Sequence, residues 1–202
     1  YRYLGNLMDQ SSSNIREDDL KDWLTARGEY TPEVVTRAVT KFTREAGMGS
    51  NDDLYETNKE VYQRLRYGVN VALQNEPNVT VDLIDWEHPE ANDFAVAEEV
   101  TVHSESTKRP DIVLYVNGIA LGVMELKRAG VNISDAIRQN LSNQESRFIA
   151  PFFSTMQLVI AGNDSQGLKY GTIKTPEGFF LSWKEDGVTL DPRQNRLDQQ
   201  VG

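Results

Sequence analysis

From about Arg16 to Arg27 the apolar positions Leu20, Trp23 and Leu24 share one face at helical spacing, and Gly28 follows as a stop, which predicts a short helix. Thr31, Pro32 and Glu33 supply a cap, a first-turn proline and a first-turn carboxylate. Val35, Ala38, Val39 and Phe42 then repeat until Gly47, predicting a second helix. Leu54, Val61, Tyr62 and Leu65, closed by Gly68, predict a third.

Beyond Gly68 the period changes from helical to alternating. Asn78 to Trp86 places Val79, Val81 and Leu83 on one side, and Phe94 to Val102 is a second extended, valine-rich run. Asp111 to Val116 and Ile119 to Leu126 flank Asn117-Gly118, a dipeptide that favours the tight turn of a two-stranded ribbon. Ser134 is placed to cap a helix whose Ile137 and Leu141 face the core, with Pro151 beyond its end. Gln157 to Ala161 reads as a buried strand, and Tyr170 to Ile173 and Phe179 to Trp183 as further sheet. Helices, strands, a helix and more strands give an α/β fold, with a mixed central β-sheet flanked by helices.

Composition narrows the chemistry. At 202 residues with 39% apolar content the chain can bury one substantial core. No apolar run approaches the ~20 residues that span a bilayer, and Tyr1-Arg2-Tyr3 does not begin a signal peptide, so no membrane partner is expected and the location is read as cytoplasmic. Without cysteine there is neither a disulfide nor a thiolate zinc site, so any metal would be held by oxygen. His88 and His103 stand apart without clustered ligands and read as surface or strand residues. A net charge of −10 argues against a free-standing DNA binder, because phosphate neutralisation needs Lys and Arg. Arg37, Lys41 and Arg44 line one side of the second helix, most simply as a solvated face. The polar run from Asp191 to Gly202 reads as a linker, with the chain a fragment of a longer protein.

The candidate chemistry lies on the ribbon. Asp111 opens its first strand, and Glu125 and Lys127 close its second, in the pattern Asp-x13-Glu-x-Lys. Two carboxylates on adjacent strands, ~5 Å apart at Cβ, can hold Mg²⁺ (or Mn²⁺) while leaving room for water and a phosphate oxygen. Lys127 beside them can orient water or neutralise developing charge. An ideal Asn117-Gly118 turn, however, sets Asp111 opposite Met124 and turns Asp111 and Glu125 to opposite faces. The site therefore requires a three-residue connection or a bulge near Gly122. Glu98, Glu99 and Glu60 are outlying acids, and only one of Glu98 and Glu99 can face the site.

The run from Lys108 to Lys127 closely resembles the nuclease segment of type I restriction enzyme R subunits, a branch of the PD-(D/E)XK nucleases. Ala97–Val102, Ala136–Asn140, Phe152–Val159 and Leu168–Ile173 resemble that family too, and the resemblance covers about residues 55 to 185. It implies a restriction-endonuclease-like core, taken as residues 51–188; by their residue pattern, residues 1–50 read as a helical extension and 189–202 as a linker, toward the ATP-dependent motor that the resemblance implies. It implies Asp111, Glu125 and the backbone carbonyl of Leu126 as metal ligands, and Lys127 as the catalytic lysine. Gln139 stands where members carry the glutamine of a Gln-x-x-x-Tyr motif, but Asn143 replaces the tyrosine. The implied activity is Mg²⁺-dependent cleavage of duplex DNA within a complex that includes methyltransferase and specificity subunits. The alternative is a non-catalytic docking module for those subunits, and a plain nucleic-acid binder is a third reading. The motor's ATP-binding loop is not in this chain: Gly162–Lys169 lacks the adjacent lysine and hydroxyl.

Overall fold

A computed structural model describes residues 1–49, 52–74 and 76–184. The expected linker over 189–202 lies outside them. In chain order the strands and helices are β1 (Arg2–Asn6), α1 (Glu17–Arg27), α2 (Pro32–Ala46), α3 (Leu54–Tyr67), β2 (Val69–Leu73), β3 (Glu76–Val81), β4 (Phe94–Glu98), β5 (Val102–His103), β6 (Thr107–Lys108), β7 (Ile112–Val116), β8 (Ile119–Lys127), α4 (Ile133–Asn143), β9 (Leu158–Asn163), β10 (Gly167–Gly171) and β11 (Leu181–Ser182). The expected mixed α/β architecture is present: a seven-stranded sheet in the order β1-β4-β7-β8-β9-β10-β11. Its β1–β4 and β8–β9 pairs are parallel and the rest antiparallel.

Two apolar clusters hold the layers together. On one face of the sheet, Ile133, Ala136 and Ile137 of α4 pack with Val113, Val123 and Val159 of the central strands. The second cluster joins Leu20, Phe42, Val61 and Leu65 of the first three helices to Val69 and Val81 of the β2–β3 hairpin, and Ile119 at the start of β8 belongs to it. Burying such a side chain contributes about 1.5–3 kcal/mol, so Ile119 anchors the start of β8 to the helical layer.

Several local expectations are corrected. Asn132, not Ser134, caps α4: its Oδ1 accepts from the Ser134 amide at 2.9 Å. Tyr62 is exposed rather than part of the buried stripe of α3. The run from Asn78 to Trp86 stops being strand at Val81. The run from Phe94 to Val102 breaks at Glu99, whose φ of 51° kinks the chain while its amide donates to the Asp111 carbonyl. Strand β1 was not expected from the sequence, because its alternation is weak and its strand partner among the described residues is β4, about ninety residues further on. Of the basic stripe on α2, Arg37 and Lys41 donate to the carbonyls of Ala72 and Asn70, so they fasten the hairpin as well as meeting solvent.

Candidate active site

The β7–β8 ribbon closes on Asn117 and Gly118, both with positive φ (52° and 80°), as a two-residue turn requires. Glycine is needed at the second position, since a Cβ there would lie 2.7 Å from the Arg16 carbonyl oxygen. Val116 pairs with Ile119 and Tyr115 with Ala120, the register that would separate the two acids. Between Tyr115 and Leu114 the register shifts, so that Leu114 pairs with Gly122 and Leu121 is the extra residue. The required bulge is therefore present beside Gly122. Past it, Ile112 pairs with Met124, which brings Asp111 level with Glu125.

Asp111 Oδ2 accepts from the Leu126 amide at 2.7 Å, tying the start of one strand to the end of the other. The N–H and C=O of a strand residue point to the same side, so the Leu126 carbonyl is also directed toward β7. The Leu126 side chain points away and is 41% exposed. Glu125 lies beneath α4 and is only 2% exposed. Its Oε1 accepts from Lys127 Nζ at 2.7 Å, and the same ammonium donates to Gln139 Oε1 on α4, also at 2.7 Å. Thus Asp111, Glu125, Lys127 and Gln139 converge where the ribbon end meets the helix.

Electrostatics single out Glu125. Burial pushes its carboxyl above the ordinary range; the Lys127 hydrogen bond pulls it down, while Asp111 and Glu99 push it further up. Its Oε2 is buried with no hydrogen-bond partner among the described residues. A buried carboxylate oxygen left unmatched is costly, and a cation shared with Asp111 would satisfy it. The donor set fits a hard, oxygen-seeking ion: two carboxylates and a backbone carbonyl. It is sparse, since among the described residues no three His, Cys, Asp or Glu side chains gather into a metal-holding group.

Of the outlying acids, Glu99 is on the site side and Glu98 is not. Glu98 pairs with Ile112 and shares its face, whereas Glu99, one residue on, bonds by its amide to Asp111 and by its carboxylate to Arg109 Nε at 2.5 Å. The Glu99–Arg109 pair was not foreseen, and the left-handed turn that creates it has no clear sequence signal. Glu60 is exposed on α3. His88 lies 3.6 Å from Asp85 and His103 bonds Thr107, both in structural roles away from the site. Asn143, one turn beyond Gln139, is buried with its Oδ1 unbonded among the described residues. Gly162–Lys169 runs from the end of β9 through a tight turn into β10, so the segment following the turn is a strand and not the helix N-terminus that would receive a phosphate.

Fold and site together define a mixed α/β domain that gathers an acid pair, a lysine and a glutamine at the end of a β-ribbon. The chain belongs to the family of type I restriction enzyme R protein N termini, whose family model matches residues 2–178. It is similar to the type I restriction enzyme HindI endonuclease subunit of Haemophilus influenzae, 29% identical over 76% of this chain and 15% of that protein. The putative type I restriction enzyme MjaIXP endonuclease subunit of Methanocaldococcus jannaschii is 29% identical over 70% of this chain and 14% of its own length. The SsaAORF53P endonuclease subunit of Staphylococcus saprophyticus is 28% identical over 60% and 13%. The chain thus matches only about one seventh of the length of these curated relatives. Among the described residues no helix is long and apolar enough to cross a membrane.

Proposed function

We propose that this chain is the metal-dependent endonuclease domain of a type I restriction enzyme R protein, with a PD-(D/E)XK core, and that it hydrolyses phosphodiester bonds of duplex DNA. The observation that carries the reading is the bulge at Leu121, which brings Asp111 level with Glu125. Asp111, Glu125 and the Leu126 carbonyl would hold Mg²⁺, with Mn²⁺ as a substitute. Bound there, the ion supplies Lewis acidity, lowering the pKa of water and offsetting charge on the phosphoryl group. The residues themselves do the positioning. The Leu126 amide fixes the Asp111 carboxylate, and Gln139 and Glu125 together hold the Lys127 ammonium at the mouth of the site. From there Lys127 would orient the attacking water and counter the negative charge that grows on phosphorus.

The rest of the longer protein, with methyltransferase and specificity subunits and an ATP-driven motor, would bring DNA to the site in the cytoplasm. That division of labour accounts for a net charge of −10 on a DNA-cutting domain. The test is plasmid cleavage by the complete enzyme carrying Lys127→Ala or Asp111→Asn. Cleavage should fall by about a thousandfold, the scale of losing a group that stabilises transition-state charge, while ATP hydrolysis persists. Undiminished cutting, with the fold intact, would reassign the domain to docking.

A further inference from the structure

Among the described residues the sheet has two largely apolar faces, of which one is covered by α4. Ala95, Val113, Tyr115, Val123 and Val159 point toward α4 and are buried. The alternate residues point the other way and form two rows set by the register. One runs Tyr3, Val96, Leu114 and, across Gly122, Leu158; the other begins at the polar Asn6 and Glu98 on one edge and runs on through Ile112, Met124, Ile160 and Tyr170. Tyr3 is 56% exposed, Phe94 beside them 45%, and Leu181 at the end of the second row 59%. A depression of about 630 Å³ opens between Tyr1, Phe94, Leu114, Leu121 and Leu158, and its walls are almost wholly apolar.

Strands that face water on one side alternate apolar with polar residues, whereas strands covered on both sides are apolar throughout. Ile112 to Val116 has no polar residue except Tyr115, and that one lies on the covered face. Apart from Asn6 and Glu98 at one corner, the composition of the opposite face is that of an interior surface lacking its second layer.

We propose that this face is covered by the rest of the same R protein polypeptide, through the apolar side of an amphipathic helix from the region C-terminal to this domain. The curated relatives hold about six-sevenths of their length outside the matched stretch, and the family is defined as the N terminus of the R protein. Size favours a tethered occupant over a second copy. Six strand spacings of ~4.8 Å by four residue rises of ~3.3 Å give on the order of 400 Å² of sheet. That is about half the ~800 Å² per partner of a stable free-standing interface. A covalently linked segment, by contrast, meets the face at millimolar effective concentration and needs no such area. The inference rests on family membership and not on the catalytic reading.

The test places a photoreactive residue in the full-length R protein, Phe94→p-benzoylphenylalanine in one variant and Leu158→p-benzoylphenylalanine in another. Irradiation should yield an intramolecular cross-link, at monomer mobility, to a peptide C-terminal to residue 202. A control, Tyr62→p-benzoylphenylalanine on exposed α3, should give at least tenfold less of that product. Cross-linking mainly into a second R protein or another subunit would overturn the proposal, as would no cross-link from either position or equal yield from the control. Each outcome is independent of whether the enzyme cuts DNA.

Discussion

The β7–β8 ribbon buries a polar side chain at each end, and the two are treated in opposite ways. At the turn, Asn117 is wholly buried and fully matched: its amide donates to the Asp93 carbonyl, its Nδ2 to Leu83 O and Asn92 Oδ1, and its Oδ1 accepts from the Asp93 amide, all within 2.7–2.9 Å. At the other end Glu125 is almost as buried, yet among the described residues one carboxylate oxygen has no partner and the other leans on a lysine that reaches solvent. Satisfied buried polarity fixes a fold, whereas a buried carboxylate oxygen without a partner carries a desolvation cost, and on the proposed reading a bound cation would offset it.

The sharpest way to break this contrast is to neutralise Glu125. In the complete enzyme Glu125→Gln should lower DNA cleavage by about a thousandfold, as for other charge-stabilising groups, in plasmid-cutting assays. Yet the same change should move the melting temperature of metal-free protein by no more than a few degrees, because losing a buried charge offsets losing the ion pair with Lys127, for which the amide oxygen can still accept a hydrogen bond. A melting temperature several degrees lower would mean that Glu125 is a structural residue like Asn117. The converse substitution, Asn117→Ala, should cost about 2–4 kcal/mol in denaturant unfolding, since it strands the Leu83 carbonyl, Asn92 and the Asp93 amide and leaves a left-handed backbone to an alanine. Cleavage should then fall only as far as the folded fraction does.

A smaller effect concerns Gln139, which helps to hold Lys127 without touching either carboxylate. Gln139→Ala should reduce cleavage about tenfold, corresponding to roughly 1.4 kcal/mol of lost positioning, while Gln139→Glu, which keeps the acceptor, should recover much of it. Equal loss in both variants would deny Gln139 that role.

The smallest effect is in pH. Burial raises the Glu125 carboxyl in the folded state, so the native protein binds its proton more tightly than the unfolded chain does. The stability this contributes is fully present below the ordinary carboxylate range and is lost as pH climbs through the raised value. In chelator-treated samples, the stability of the native sequence relative to Glu125→Gln should decline with rising pH across that window and be level on either side. A difference that grows with pH there would reverse the assignment of burial as the dominant influence.

Much of this was legible in the chain. Helical spacing with Gly28 and Gly68 as stops, Thr31-Pro32 as a start and Asn117-Gly118 as a turn are local signals, because dihedral preference and capping act over a few residues. The acid–acid–lysine pattern was equally plain, and the face rule for strands turned it into a demand for one irregularity, found at Leu121. Features depending on distant partners were not legible: β1 is a strand because β4 accepts it, Glu99 turns left-handed where Asp111 meets it, and Asn132 displaces Ser134 as the cap of α4.

The amino-acid order alone determined which residues hold charge and which periods they follow, hence the kinds of elements and the reagents available for chemistry. Only the tertiary structure decided that Glu125 would be buried under α4, that Gln139 would reach Lys127 from a different element, and that one apolar face of the sheet would have no cover among the described residues. Burial and convergence are properties of chain segments brought together from far apart, and their free energy exists only once the sheet and helix have met.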